Sequence, residues 1–155
     1  MLLAIEKSVT LAASVDELWD LVNDPERVAA CLPNVRDFRS TGEPGRYSTL
    51  LVERLGPFGV QVALAIAVEQ DAAARTMVAH VSGEDRGGAA RVRGDVRATV
   101  SPGPADSGSR LEVTSDVEVL GRLAALGAVP MRRRGDQVFD LFIATIAARL
   151  EEPRG

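Results

Sequence analysis

The chain offers few side chains that could perform chemistry. Its 155 residues include one histidine, His80, and one cysteine, Cys31. This count cannot supply a His/Cys metal centre, and the carboxylates show no EF-hand spacing, so we expect no bound metal. The sequence also lacks the glycine-rich motifs that bind phosphates or dinucleotides, and we expect no cofactor. Cys31 precedes Leu32 and Pro33 without a basic neighbour and is expected to be a buried, unreactive side chain.

A catalytic role would require a polar group with a shifted pKa inside an apolar pocket. The two candidates in this sequence are His80 and Ser115. Ser115 lies in phase with the apolar residues around it and should face the interior of the protein, whereas the face that His80 occupies stays open. The sequence shows no set of nucleophile, base and orienting group, so we assign no catalytic residue.

The composition is typical of one globular domain spanning residues 1–155, because 46% of the side chains are hydrophobic. A formal net charge of −4 argues against a nucleic-acid partner, which requires a strongly basic surface. The sequence has no apolar run long enough to span a bilayer and no signal-peptide pattern at its start. We therefore expect a cytoplasmic protein with at most a peripheral membrane contact.

Strict alternation of apolar and polar residues marks the last third of the chain. In Ala89–Val100 and in Arg110–Leu120, apolar side chains occupy every second position. Successive side chains of a strand point to opposite faces, so this pattern predicts an antiparallel sheet with one covered face and one wet face. The same reasoning predicts five further strands: Leu2–Leu11, Val35–Ser40, Tyr47–Leu55, Val60–Glu69 and Thr76–Glu84.

Two short helices are predicted after the first strand. Ser14–Glu17 has the capping-box pattern and should begin a helix over Val15–Val22. The pair Asp24-Pro25 places a capping carboxylate before a proline at the first helical position. This second helix should end near Leu32, because the residue before a proline is pushed away from helical geometry.

A long amphipathic helix closes the chain. Its apolar stripe follows the 3.6-residue period best from Asp136 to Leu150. Pro130 would break or bend the interior of a helix. We therefore expect a kink or a separate turn between Gly127 and Gly135.

This order of elements predicts an α+β helix-grip fold, in which a curved antiparallel sheet of six to seven strands wraps around the long C-terminal helix. Sheet and helix can meet at their ends and stay apart in the middle, which would leave an apolar hollow. Ordinary core packing is the alternative for every residue concerned. The side chains expected to line the hollow are Val62, Leu64, Ile66, Val92, Val96, Val113, Ser115, Val117, Phe139, Phe142 and Ile143.

Three segments resemble a known family. Leu18–Pro25 and Cys31–Asn34 are similar to the opening of the CoxG proteins of carbon monoxide dehydrogenase systems, and Val117–Gly127 resembles their strand-to-helix junction. This family belongs to the START-like, polyketide cyclase-like (SRPBCC) superfamily, whose members commonly hold a hydrophobic ligand between the sheet and the long helix. The chain departs from the family pattern at Asn34 and Leu120, where glycine is expected.

The resemblance implies a non-enzymatic accessory protein that binds a quinone or a lipid-like molecule and serves a molybdenum hydroxylase-type enzyme, such as carbon monoxide dehydrogenase. Two other hypotheses stay open: a cyclase- or hydrolase-like enzyme of the same superfamily, and a docking protein without a ligand. The candidate contacts with an acidic partner surface or with lipid headgroups are Arg132, Arg133 and Arg134.

Overall fold

The computed structural model describes residues 1–151. It confirms the α+β prediction, with seven antiparallel strands, two short helices after the first strand and a long C-terminal helix. The elements in chain order are β1 Leu2–Leu11, α1 Val15–Val22, α2 Pro25–Ala30, β2 Val35–Ser40, β3 Arg46–Leu55, β4 Phe58–Asp71, β5 Thr76–Asp85, β6 Arg91–Pro102, β7 Ser109–Leu120 and α3 Ala128–Glu151.

The strands form one sheet in the order β1-β7-β6-β5-β4-β3-β2. Strands β2 to β7 follow one another as antiparallel neighbours, and β1 pairs with β7 at the opposite side of the sheet. The pairing register aligns one row of residues across five strands, which we call the central row. The central row consists of Ile5, Ser115, Val96, Ala79 and Val68.

The predicted helix caps are present. The Ser14 hydroxyl accepts a hydrogen bond from the Glu17 amide at 3.1 Å. The Asp24 carboxylate accepts from the amides of Glu26 and Arg27 at the start of α2. Each cap satisfies amides that have no partner inside the helix, so the sequence pattern fixes where both helices begin.

The predicted kink in the last helix is wrong. Helix α3 runs without interruption from Ala128 to Glu151, eight residues longer at its start than the predicted stripe. Pro130 lies in the first turn of α3, where its missing amide removes no intrahelical hydrogen bond. The break falls instead at Gly127, whose φ of 80° separates α3 from a short 3₁₀ turn over Arg122–Leu126.

The core of the protein is divided into two clusters. The first, which we call the helical core, joins α1 and the end of α2 to the last part of α3. Its buried members are Leu11, Leu18, Trp19, Leu21, Val22, Cys31, Val100, Leu111, Phe142 and Ile146. The second, which we call the turn core, lies beneath the 3₁₀ turn, and its buried members are Val60, Val62, Ala89, Ala90, Val119, Leu123 and Met131.

Two glycines allow neighbouring strands to approach closely where the sheet curves. A Cβ atom built on Gly94 would overlap the backbone oxygen of Asp116 on β7, and one on Gly83 would overlap the backbone oxygen of Ala63 on β4. Glycine inside a strand often marks such a bend or close approach. The curvature of the sheet therefore depends on positions without a side chain.

Replacing Gly94 by valine should lower the free energy of unfolding by about 1–3 kcal/mol, because the new side chain forces β6 and β7 apart. Urea unfolding of the variant measures this change. Gly59→Val is the matched control, since a Cβ atom there would meet nothing closer than the Arg54 guanidinium at 3.9 Å. Equal stability of Gly94→Val and the wild type would contradict the close approach of the two strands.

Candidate ligand-binding site

The inner face of the sheet is incompletely covered between the two cores. Along β7, Leu111 belongs to the helical core and Val119 to the turn core, with Ser115 midway between them. At the usual rise of a strand, these two core residues are about 26 Å apart. All five members of the central row are only partly buried and belong to neither core.

The structure divides the eleven predicted lining residues into three groups. Two are core residues, with Val62 in the turn core and Phe142 in the helical core. Those packed at the margin of a core are Leu64, Val92, Val113, Val117 and Ile143. Those that are partly exposed and lie outside both cores are Ile66, Val96, Ser115 and Phe139. This last group, between the two cores, marks the candidate site, and we call the space beside it the hollow.

Sequence reasoning missed other residues of the same face. The register places Ile5 beside Ser115, Ala79 beside Val96 and Val81 beside Ile66. These side chains have the same phase as the predicted set and are partly buried. Their alternation was visible in the sequence, but only the pairing register shows which of them share the hollow.

Helix α3 crosses the hollow from one side of the sheet to the other. Its backbone lies nearest to β1 and to β3, which are separated in the sheet by four strands. At β1 the approach is close, because a Cβ atom on Gly135 would lie 2.6 Å from the Cδ1 atom of Ile5. From residue 132 to residue 141 no side chain of α3 is fully buried. The helix is therefore supported at its flanks where it passes over the central row.

Two ion pairs hold the flanks of this segment. Lys7 Nζ on β1 lies 2.7 Å from Asp136 Oδ1. Arg134 Nε donates to both carboxylate oxygens of Glu53 on β3, at 3.1 and 3.0 Å. Lys7 and Glu53 lie in the inward phase of their strands, where apolar residues otherwise dominate. Charges in an apolar phase are the sequence signal that could have revealed these contacts.

A groove of about 1040 Å³ opens where α3 meets β3. Its lining includes Glu53, Val60, Arg134 and Gln137. Strand β2 pairs with β3 only as far as Leu51, so the rest of β3 is an edge that α3 covers through the Arg134–Glu53 pair. The groove therefore brings solvent to this side of the hollow.

Arg134 does not share the exposed setting of its two neighbours. Arg132 and Arg133 are exposed on the first turns of α3, whereas Arg134 turns toward the sheet and binds Glu53. The Glu53 side chain is only 8% exposed and also accepts a hydrogen bond from Asn34 Nδ2 at 2.9 Å. The three arginines, which the sequence suggested as one contact surface, thus divide into two exposed cations and one engaged in an ion pair.

His80 lies on the outer face of the sheet, away from the hollow. Its Nδ1 atom is 2.5 Å from Asp95 Oδ1, and its Nε2 atom is 3.0 Å from Glu69 Oε2. Hydrogen bonds to Glu69 and Asp95 raise the pKa of His80 above its ordinary value of 6.5. Of the two catalytic candidates, only Ser115 faces inward, and it makes no side-chain hydrogen bond with another residue in the described range 1–151.

The raised pKa of His80 predicts a pH-dependent stability. The imidazolium form gains its two carboxylate partners only in the folded state, so the stabilisation is complete below about pH 6 and is lost as pH rises through the folded pKa. The difference in Tm between the wild type and His80→Gln should therefore shrink from pH 6 toward more alkaline values. A difference that stays constant or grows with pH would contradict the bracketed geometry.

Cys31 is buried, and desolvation raises the pKa of its thiol, as expected for an unreactive core side chain. Within residues 1–151, no group of three or more His, Cys, Asp or Glu side chains is arranged to hold a metal ion. None of the helices in that range combines the length and apolar character of a membrane span.

A curved antiparallel sheet that grips a long C-terminal helix, with an incompletely covered face between them, defines the helix-grip class. Solved structures share this fold. A conserved protein from Geobacillus kaustophilus superposes with a TM-score of 0.82 at 21% identity, covering 96% of this chain and 95% of that one. A START superfamily protein from Mycobacterium smegmatis gives 0.69 at 18% identity, covering 96% and 97%.

A third similar structure is the Zhui aromatase/cyclase from Streptomyces sp. R1128, with a TM-score of 0.64 at 16% identity over 97% of this chain and 94% of that one. Comparison with curated proteins finds no match. The model of the CoxG family, the G-type component of carbon monoxide dehydrogenase, matches residues 8–151, which is nearly the whole chain. The protein therefore belongs to the CoxG family.

Proposed function

We propose that the protein binds an apolar small molecule, a quinone or a lipid-like compound, in the hollow beneath α3. It then acts as a non-enzymatic accessory protein of a carbon monoxide dehydrogenase-type molybdenum enzyme. The observation that carries the ligand part is the partly exposed central row between two separate cores. Family membership supports the enzyme partner.

The chemistry of the hollow favours an apolar ligand. Its floor consists of aliphatic side chains from the central row, and Phe139 of α3 lies above it. An apolar surface that stays accessible to water gains free energy when a ligand covers it. The inner face offers Ser115 without a base beside it, so we propose binding rather than catalysis in this space.

The natural test is native mass spectrometry of the purified protein with a panel of quinones that differ in tail length. The proposal predicts one-to-one adducts with tailed quinones and weaker adducts with the same head group lacking a tail. Failure of every tailed quinone to bind above background would contradict it.

The partner contact is proposed for the two exposed arginines at the start of α3, Arg132 and Arg133, in a protein placed in the cytoplasm. Reversing both charges to glutamate should reduce co-purification with the molybdenum enzyme, because complementary charges speed and orient association. The matched control is the same double reversal at Arg36 and Arg39, which are exposed on β2. Equal losses for both double variants would contradict a specific contact.

A further inference from the structure

Arg134 has hydrogen-bond donors that the protein does not use. A guanidinium group carries five N–H donors. Nε is shared between the two oxygens of Glu53, and Nη1 makes a long bond of 3.4 Å to Gln137 Oε1. Within the described part of the chain, Nη2 has no hydrogen-bond partner. The Arg134 side chain is 31% exposed, so these donors remain accessible from the groove.

Glu53 fixes the position of these donors. Its carboxylate is only 8% exposed and is bound by Arg134 from α3 and by Asn34 from the segment before β2. With both oxygens engaged, Glu53 orients the guanidinium instead of offering a site of its own. Arg134 and Glu53 together carry no net charge, which sets the kind of group that fits beside them.

We propose that Arg134 is the specificity-determining residue for the polar end of the ligand, and that its free Nη donors bind a neutral carbonyl oxygen. This inference rests on the proposed binding of an apolar molecule in the hollow. A ligand whose tail lies on the central row places its head at the α3–β3 side, where the groove and Arg134 meet. Arg134 acts here by binding, while Glu53 and Asn34 act as positioning residues.

The charge balance explains why the head is neutral. A carbonyl oxygen accepts from Arg134 and leaves the Arg134–Glu53 pair balanced. A carboxylate would place a second negative charge next to the poorly hydrated Glu53, and burial of an unbalanced charge is costly. An ammonium group has no acceptor for these donors and meets the positive charge of Arg134.

Two ligands of equal length separate the head from the tail. Methyl decyl ketone and dodecylamine have the same number of heavy atoms, and each is titrated against protein loaded with the neutral dye Nile red. For the wild type, the ketone should bind about tenfold more tightly than the amine, as expected for a hydrogen bond to a charged donor. In Arg134→Met this preference should disappear.

Arg134→Met leaves Glu53 without its main partner, which threatens folding. The double variant Glu53→Met/Arg134→Met removes both charges together and keeps the test valid. Arg133→Met is the matched control, because that side chain is exposed on the same helix and should leave the preference unchanged. Head-group preference is a readout that loss of stability alone does not move.

The possible results separate this inference from the proposed function. Loss of the ketone preference in the double variant, with retention in Arg133→Met, supports the role of Arg134. An unchanged preference in the double variant overturns that role and leaves ligand binding in the hollow intact. Absence of Nile red binding to the wild type overturns both.

Discussion

Replacing Val96 by tryptophan will abolish ligand binding and leave the protein folded. Val96 occupies the middle of the central row, between Ala79 on β5 and Ser115 on β7. An indole at this position takes the space that the ligand tail would occupy. We expect the dissociation constant for a tailed quinone or for Nile red to rise by about tenfold or more. Fluorescence titration measures this change.

Stability provides the second readout for Val96→Trp. If the space beneath α3 is open, the larger side chain fills it, and the free energy of unfolding should change by less than about 1 kcal/mol. In a closely packed core, the same substitution would cost about 1–3 kcal/mol through overpacking. Arg97→Trp places an indole on the outer face of the same strand and should leave binding unchanged. A strongly destabilised Val96→Trp variant would indicate a solid interior.

Ile146→Ala will have the opposite effect, with a large loss of stability and little direct effect on binding. Ile146 is 0% exposed in the helical core, where α3 packs on α1 and on the end of the sheet. Truncation removes buried surface and leaves a cavity, for which we expect a loss of about 2–5 kcal/mol. For a domain of this size, Tm should fall by about 10 °C.

The control for Ile146→Ala lies on the same helix. Leu141 is 50% exposed, and its replacement by alanine should change the free energy of unfolding by less than about 0.5 kcal/mol. Chemical denaturation of both variants measures the difference between a core position and a surface position of α3. Similar losses for the two variants would contradict the assigned packing of this helix.

The sheet could be predicted from the sequence because alternation reports directly on a face that is half covered. All seven predicted strands are present, and their bounds agree to within a few residues. The caps at Ser14 and Asp24 likewise predicted where α1 and α2 begin, since their chemistry is local. The beginning of α3 was not predicted, because Pro130 was judged as an interior residue and lies in the first turn.

The site could be predicted only in outline. Alternation identified which residues face inward, and it could not show that Val62 and Phe142 belong to separate cores at opposite ends. That division depends on how the sheet curves and where α3 crosses it, which are properties of long-range packing. The Glu53–Arg134 pair joins residues that are 81 positions apart, so no local pattern could reveal it.

Methyl NMR of the protein with decylubiquinone tests the central claim most directly. The account predicts shifts that saturate with added ligand at the methyl groups of Ile5, Ile66, Val81 and Val96, which face the hollow. The methyl groups of Leu18, Leu111 and Ile146, buried in the helical core, should stay largely unchanged. If the hollow methyl groups do not shift at saturating ligand, or if shifts occur only on the outer face, an open apolar hollow beneath α3 is contradicted.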